Sequence, residues 1–88
     1  MEPRGEEALK VAEAISSVTR FKMLRLLSRE KLDISTIANK LHVSEAYVSE
    51  EIVLLEKVGI VRTTYQKGKR GVRKVCDLAV RRIVINIA

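Results

Sequence analysis

Apolar positions recur at helical spacing over the first two-thirds of the chain and at strand spacing after that. Between residues 6 and 16, Leu9, Ala12 and Ile15, with Val11 and Ala8 alongside, form the wide apolar face of a helix of about three turns. Ser17 can cap the next helix, 18–29, in which Phe21, Leu24 and Leu27 make one row and Met23 and Leu26 flank it. That helix is apolar over most of its circumference and reads as the central core element. Its basic residues Arg20, Lys22, Arg25 and Arg29 leave by the polar side, stems on apolar surface and heads in water.

A short extended link at 31–34, suited to pairing with a sheet edge, leads into two more helices in quick succession. Asp33 caps the first, and Ile34, Ile37, Ala38 and Leu41 turn inward. Ser44 starts the second by accepting from the backbone N–H of Ala46 or Tyr47, while Val43 packs against Val48 as a hydrophobic staple. Val48, Ile52, Leu55 and Val58 then form a single stripe that must face a core. Only Leu41, His42 and Val43 separate the two, and so short a connection forces a sharp angle, as in a helix-turn-helix unit. Gly59 closes the pair, since glycine takes the left-handed conformation past a helix end without penalty.

Period two takes over from there. Ile60, Val61, Thr63, Thr64 and Tyr65 predict a strand over 60–66, Gly68 and Gly71 a turn, and Val72 to Cys76 an alternating return strand ending near Leu78. The result is a β-hairpin with a basic tip. Residues 80–87 predict a third strand, with Ile83, Ile85 and Ile87 on one face and Val84 and Asn86 on the other. An apolar strand in this place points either to a dimerising edge or to a longer protein of which this chain is a piece.

The segment from Ser17 to Leu27, then Asp33 to Leu55, then Glu56 to Val61 ahead of the basic hairpin, resembles the ArsR-like winged helix-turn-helix transcription regulators. The likeness runs over residues 8–78, and its specificity lies in the order and spacing of loose apolar patterns. It implies an α+β, mostly α fold: three to four helices plus a hairpin wing, here as one domain spanning 1–88. It implies a DNA-binding repressor or activator, usually a homodimer on a two-fold symmetric operator. In that family a helix at the position of the first contributes to the dimer interface. From the residues alone, that face would serve equally well to close the monomer core. The dimer-interface candidates are Leu9, Ala12, Ile15, Ile83, Ile85 and Ile87.

Charge sharpens this expectation. The net charge of +6 is concentrated at one end. Residues 60–88 carry Arg62, Lys67, Lys69, Arg70, Arg73, Lys74, Arg81 and Arg82 against the single Asp77, while 1–59 are nearly balanced. Solvated surfaces normally mix signs, so a block of one sign calls for an anionic partner, most often phosphate backbone. At 88 residues the core is modest and can lean on a partner subunit. With no apolar run long enough for a membrane span and no signal segment, the expected location is the cytoplasm.

Candidate chemistry is confined to binding. No carboxylate pair, nucleophile–base constellation, phosphate loop or metal cluster is visible, so neither an enzyme nor a cofactor is expected. His42, where the family usually has glycine, reads as a turn residue at or near positive φ. Cys76, the single cysteine, reads as a packing residue, because redox sensing needs an exposed low-pKa thiolate. For double-stranded DNA, helix 44–58 would enter the major groove, presenting Ser44, Glu45, Ala46, Tyr47, Ser49 and Glu50. The wing at 62–74, with Arg62, Lys67, Lys69, Arg70, Arg73 and Lys74, would follow the backbone or enter the minor groove. Against this, comparable helices often carry Arg, His or Lys where this one has Glu50 and Glu51, and no basic residue lies between Ser44 and Glu56. Its four carboxylates would repel phosphates. They keep open a winged helix that binds protein, or nucleic acid without sequence specificity.

Overall fold

The computed structural model describes residues 1–88. Its elements are α1 (Glu6–Ile15), α2 (Val18–Leu27), β1 (Leu32–Asp33), α3 (Ile34–Leu41), α4 (Glu45–Lys57), β2 (Val61–Gly68) and β3 (Gly71–Leu78). The strands form one antiparallel sheet in the order β1-β3-β2. Pairing runs from Val61 opposite Leu78 out to Gly68 opposite Gly71, leaving a two-residue turn of Lys69 and Arg70. This hairpin extends from the helical body, and the molecule measures 51 Å along its long axis against 23 and 21 Å across.

The third strand of the sheet is the short link before α3, where Leu32 pairs with Cys76 and Asp33 with Val75. The strand expected over 80–87 does not form: residues 79–88 belong to no helix or strand. Ala79 N–H donates to the Ile60 carbonyl, after which the tail meets the N-terminus. There the Met1 amine donates to the Arg82 carbonyl at 3.1 Å, and Val84 N–H donates to the Met1 carbonyl at 2.9 Å. A parallel ladder from this bridge would next use the N–H of residue 3. Proline has none, so pairing stops after one residue.

The core joins all four helices to the base of the sheet. Val48, Ile52 and Leu55 are wholly buried, as their spacing predicts, against Met23, Ile37, Ile60 and Cys76. Burying each of the larger side chains contributes about 1.5–3 kcal/mol. In α2, however, the innermost residues are Met23 and Leu27, while Phe21 remains 53% exposed. A helix apolar over most of its girth does not itself specify which side turns in; packing against α3 and the sheet decides it here. In α1 the buried residues are Val11 and Ala14, which leaves Leu9 71% exposed and Ala12 and Ile15 partly covered.

Side-chain caps fall where the sequence places them. Ser17 accepts from Arg20 N–H at 3.3 Å, Asp33 from Thr36 N–H at 2.8 Å, and Ser44 from Tyr47 N–H at 3.1 Å. His42 ends α3 in the left-handed conformation, with φ 57°. Gly59, with φ 81°, ends α4, and Ile60 N–H reaches back to the Leu55 carbonyl.

Arg20 does not go to water. Its guanidinium donates to the carbonyls of Glu13 and Ala14 at the end of α1 and to Glu51 Oε2 on α4, the last at 2.9 Å. The last turn of α1 has no basic residue of its own, so Arg20 supplies the cation that the helix dipole favours there. Both side chains of the ion pair are little exposed, at 15% and 16%.

Two stability outcomes follow. Arg20→Met, which keeps the apolar stem but leaves Glu51 and the Ala14 carbonyl without their donor, should cost about 2–3 kcal/mol in urea denaturation. A cost below about 0.5 kcal/mol, within the range of an ordinary surface substitution, would discount the clamp. Asp33 is held below the usual carboxylate range by hydrogen bonds from the Thr36 side chain and backbone and by the nearby Arg73 charge. Its ionised form therefore stabilises the fold above the pH where an unfolded aspartate titrates, near 4, and this contribution is lost as pH falls through the lower folded value. Asp33→Ala should cost about 1 kcal/mol at pH 7 as a lost cap, and less as the pH is lowered below 4.

Candidate nucleic-acid interface

Two surfaces carry the expected binding residues. On α4, Ser44, Glu45, Ala46 and Glu50 are exposed, while Tyr47 and Ser49 are half-buried at the margin. Tyr47 packs partly against the core, so its ring is held and only its outer edge is free to touch a ligand. Because Ser44 satisfies Tyr47 N–H and its carbonyl accepts from Val48 N–H, the orphan donors left at this helix start are those of Glu45 and Ala46. They point out of the helix end, where the dipole favours an anion.

The acidity of α4 is divided by its own geometry. Glu51 is taken by Arg20. At the far end, Glu56 accepts from the Thr63 hydroxyl at 2.8 Å and pairs with Lys74 at 3.1 Å. Two of the four carboxylates are thus joined to the body of the protein, and Glu45 and Glu50 alone are exposed. The repulsion expected from the sequence is correspondingly smaller at the face that would meet phosphate.

The wing divides in the same way. From the base outwards Arg62 donates to Asp77 at 2.9 Å, Lys74 pairs with Glu56, and Arg73 donates to Asp33 at 3.1 Å. The pairing with Arg62, through its side-chain hydrogen bond, holds Asp77 below the ordinary carboxylate range. Towards the tip Lys67, Lys69 and Arg70 are exposed and have no carboxylate within ion-pair distance. Of the six wing cations expected to contact DNA, these three are unpaired.

One residue escaped the sequence reading. Tyr65 is 72% exposed and lies opposite Lys74 in the hairpin, on the same face as Lys67 and Val72. Period two alone predicts this placement: Val61 and Thr63 face the core at the base, and the same face extended two residues further runs past the body. As a residue type Tyr65 predicts only strand; its exposure comes from the length of the hairpin beyond the body.

His42 is exposed in its turn. Cys76 has no accessible surface, and burial pushes its thiol up to about 11, which keeps it protonated and unreactive at neutral pH. There is no group of three or more His, Cys, Asp or Glu side chains placed to hold a metal ion. No helix is long and apolar enough to cross a membrane.

Comparison with known proteins agrees with this geometry. No curated protein matches the sequence. Among solved structures, the fold is similar to HlyU from Vibrio cholerae, at 20% identity over 85% of this chain and 77% of that one, with a TM-score of 0.72. It is similar also to a homodimeric winged helix-turn-helix DNA-binding domain from Mycobacterium bovis, at 20% identity over 85% of this chain and 66% of that one, TM-score 0.75. An ArsR family transcriptional regulator solved by crystallography aligns at 26% identity over 89% of this chain and 76% of that one, TM-score 0.70. The family model for bacterial regulatory proteins of the arsR family matches residues 17–63, from the cap of α2 into β2 and more than half of the chain. The chain belongs to the arsR family of bacterial regulatory proteins.

Proposed function

We propose that this protein is a homodimeric transcription regulator that binds double-stranded DNA sequence-specifically, with α4 in the major groove and the wing on the backbone or in the minor groove. The observation that carries the reading is the division of charge: Arg62, Lys74 and Arg73 along the wing are paired and Lys67, Lys69 and Arg70 around its tip are not, while half the carboxylates of α4 are bound to the protein. Lys67, Lys69 and Arg70 supply affinity by neutralising phosphates, a contribution that depends on salt and not on sequence. Ser49 and the edge of Tyr47 reach base edges, Ala46 offers a methyl to thymine, and Glu45 accepts from a cytosine amino group. Glu50 limits approach to the backbone. Tyr65 adds a hydroxyl donor beside Lys67. Such an arrangement binds weakly to arbitrary duplex and discriminates through few contacts. A purely protein-binding role would require an acidic partner surface for the unpaired wing tip.

Fluorescence anisotropy with genomic-fragment and random duplexes at two salt concentrations tests this. Wild type should bind some fragments preferentially, with affinity falling steeply as salt rises. Replacing Lys67, Lys69 and Arg70 together by alanine should weaken binding to every duplex and reduce the log–log salt slope by up to about 3. Absence of binding at low salt would sink the reading.

Changes on α4 should separate from this. Ser49→Ala should lower the ratio of preferred to random binding by about 5- to 100-fold, with the salt slope unchanged. Glu45→Gln should raise affinity for random duplex while lowering that ratio. If both variants discriminate as wild type does, α4 is not the reading element.

A further inference from the structure

Beyond its contact with the N-terminus, the tail has a second edge that nothing in the chain uses. In extended backbone, successive residues direct their N–H and C=O groups to opposite sides. The even-numbered side is occupied at its start, since the Arg82 carbonyl and the Val84 N–H bond to Met1, and further on the Asn86 side chain donates to Glu2. On the odd-numbered side, the backbone groups of Ile83, Ile85 and Ile87 have no hydrogen-bond partner. Their side chains emerge progressively: Ile83 is half-buried, Ile85 is 38% exposed and Ile87 is 97% exposed. Ile83 also lines a largely apolar groove of about 250 Å³ with Ile15, Phe21, Leu24 and Val80, which joins the tail to the exposed flanks of α1 and α2.

We propose that residues 83–87 are a dimerisation edge, on which a second copy of this chain pairs antiparallel about a two-fold axis at Ile85. The inference rests on the reading of the protein as a homodimer and names the surface that makes it one. The edge is self-complementary. With the axis at Ile85, Ile83 of one copy stands opposite Ile87 of the other, Ile85 stands opposite itself, and each exchanges both backbone hydrogen bonds with its counterpart. Val84 falls opposite Asn86, so every paired position but that one is β-branched on both sides. Arg81 and Arg82 of the two copies lie at opposite ends of the paired segment, where they do not repel each other. An unpaired, uncharged apolar edge is also what monomeric proteins avoid by placing lysine or proline there. Five extended residues supply less than the roughly 800 Å² per partner of a stable interface, so the contact must extend onto Phe21, which is exposed beside it in the same groove.

Proline at position 85 separates this pairing from monomer folding, because the Ile85 N–H has no partner within the chain. Sedimentation equilibrium without DNA should show wild type as a dimer. Ile85→Pro should raise its dissociation constant by about tenfold or more, with the far-UV circular dichroism unchanged. As an independent check, Ile85→Cys should oxidise to a covalent dimer under mild conditions, its two Cα atoms being about 5.5 Å apart across the axis. Cys76, fully buried, does not compete. A monomeric wild type, or Ile85→Pro dimerising as tightly as wild type with no cross-link at position 85, would overturn the proposal. A monomer that still discriminates among duplexes would overturn this edge and leave the DNA-binding reading intact. A dimer dissociated by Ile85→Pro that binds no duplex would support the edge and remove the DNA reading.

Discussion

The guanidinium of Arg20 holds three helices together. It sits at the end of α1, is carried on α2 and reaches Glu51 on α4, so one side chain adds directed bonds among three helices that the core already packs together. The planar fork suits this position. Its donors face two carbonyls and a carboxylate in fixed directions, which a lysine ammonium on a flexible stem could not reproduce. An ion pair at this depth loses hydration, and the loss is offset only because the remaining donors are also satisfied, here by the Ala14 carbonyl that the end of α1 leaves free and by the Glu13 carbonyl, shared with Ser16. The same contact that closes the helical body also removes a carboxylate from the surface of α4.

A similar economy governs the sheet. Asp33 uses one carboxylate oxygen to cap α3 and the other to hold Arg73, so the start of the helix-turn-helix unit and the central strand of the sheet share a single residue. Glu56 does the same at the end of α4, joining Thr63 on β2 and Lys74 on β3. Between them these carboxylates fix the wing relative to α4 from both ends of the helical pair. Individually such exposed or half-exposed pairs contribute little to stability. Their consequence is geometric: two surfaces that would touch one duplex are connected through ion pairs along the wing instead of through a hinge.

How much of this could be read from the sequence depends on how local each determinant is. The three side-chain caps, the left-handed His42, the stripe on α4 and the hairpin all rest on residues within a few positions of one another, and all appear where expected. The charge block from 60 to 88 located the candidate site for the same reason. What the sequence did not determine involves distant partners. Arg20 finds Glu51 across 31 positions, Arg73 finds Asp33 across 40, and neither pairing has a periodic signature. The inner face of α2 was misassigned because a helix apolar on most sides leaves the choice to its neighbours. The tail shows alternation, but alternation reports that a backbone is extended and not that another strand lies beside it. Here the adjacent segment begins with Met1 and is interrupted by Pro3.

The divided charges also bear on how a helix with no basic residue before its last can serve a nucleic-acid-binding protein. If α4 supplied both affinity and selectivity, cations on it would strengthen binding to every sequence and dilute the difference between right and wrong sites, since phosphate contacts carry no sequence information. With affinity placed on the tip of the wing, the exposed Glu45 and Glu50 oppose close approach wherever base contacts do not compensate. Discrimination then comes partly from repulsion, a device that lowers affinity for incorrect partners more than for the correct one. Because each monomer would bind weakly under such a scheme, two copies on one duplex gain disproportionately: the second contact is made at a high effective concentration once the first is formed. A weakly binding acidic reading helix therefore favours a dimer, and the unpaired edge at Ile85 is a place for the second copy to attach.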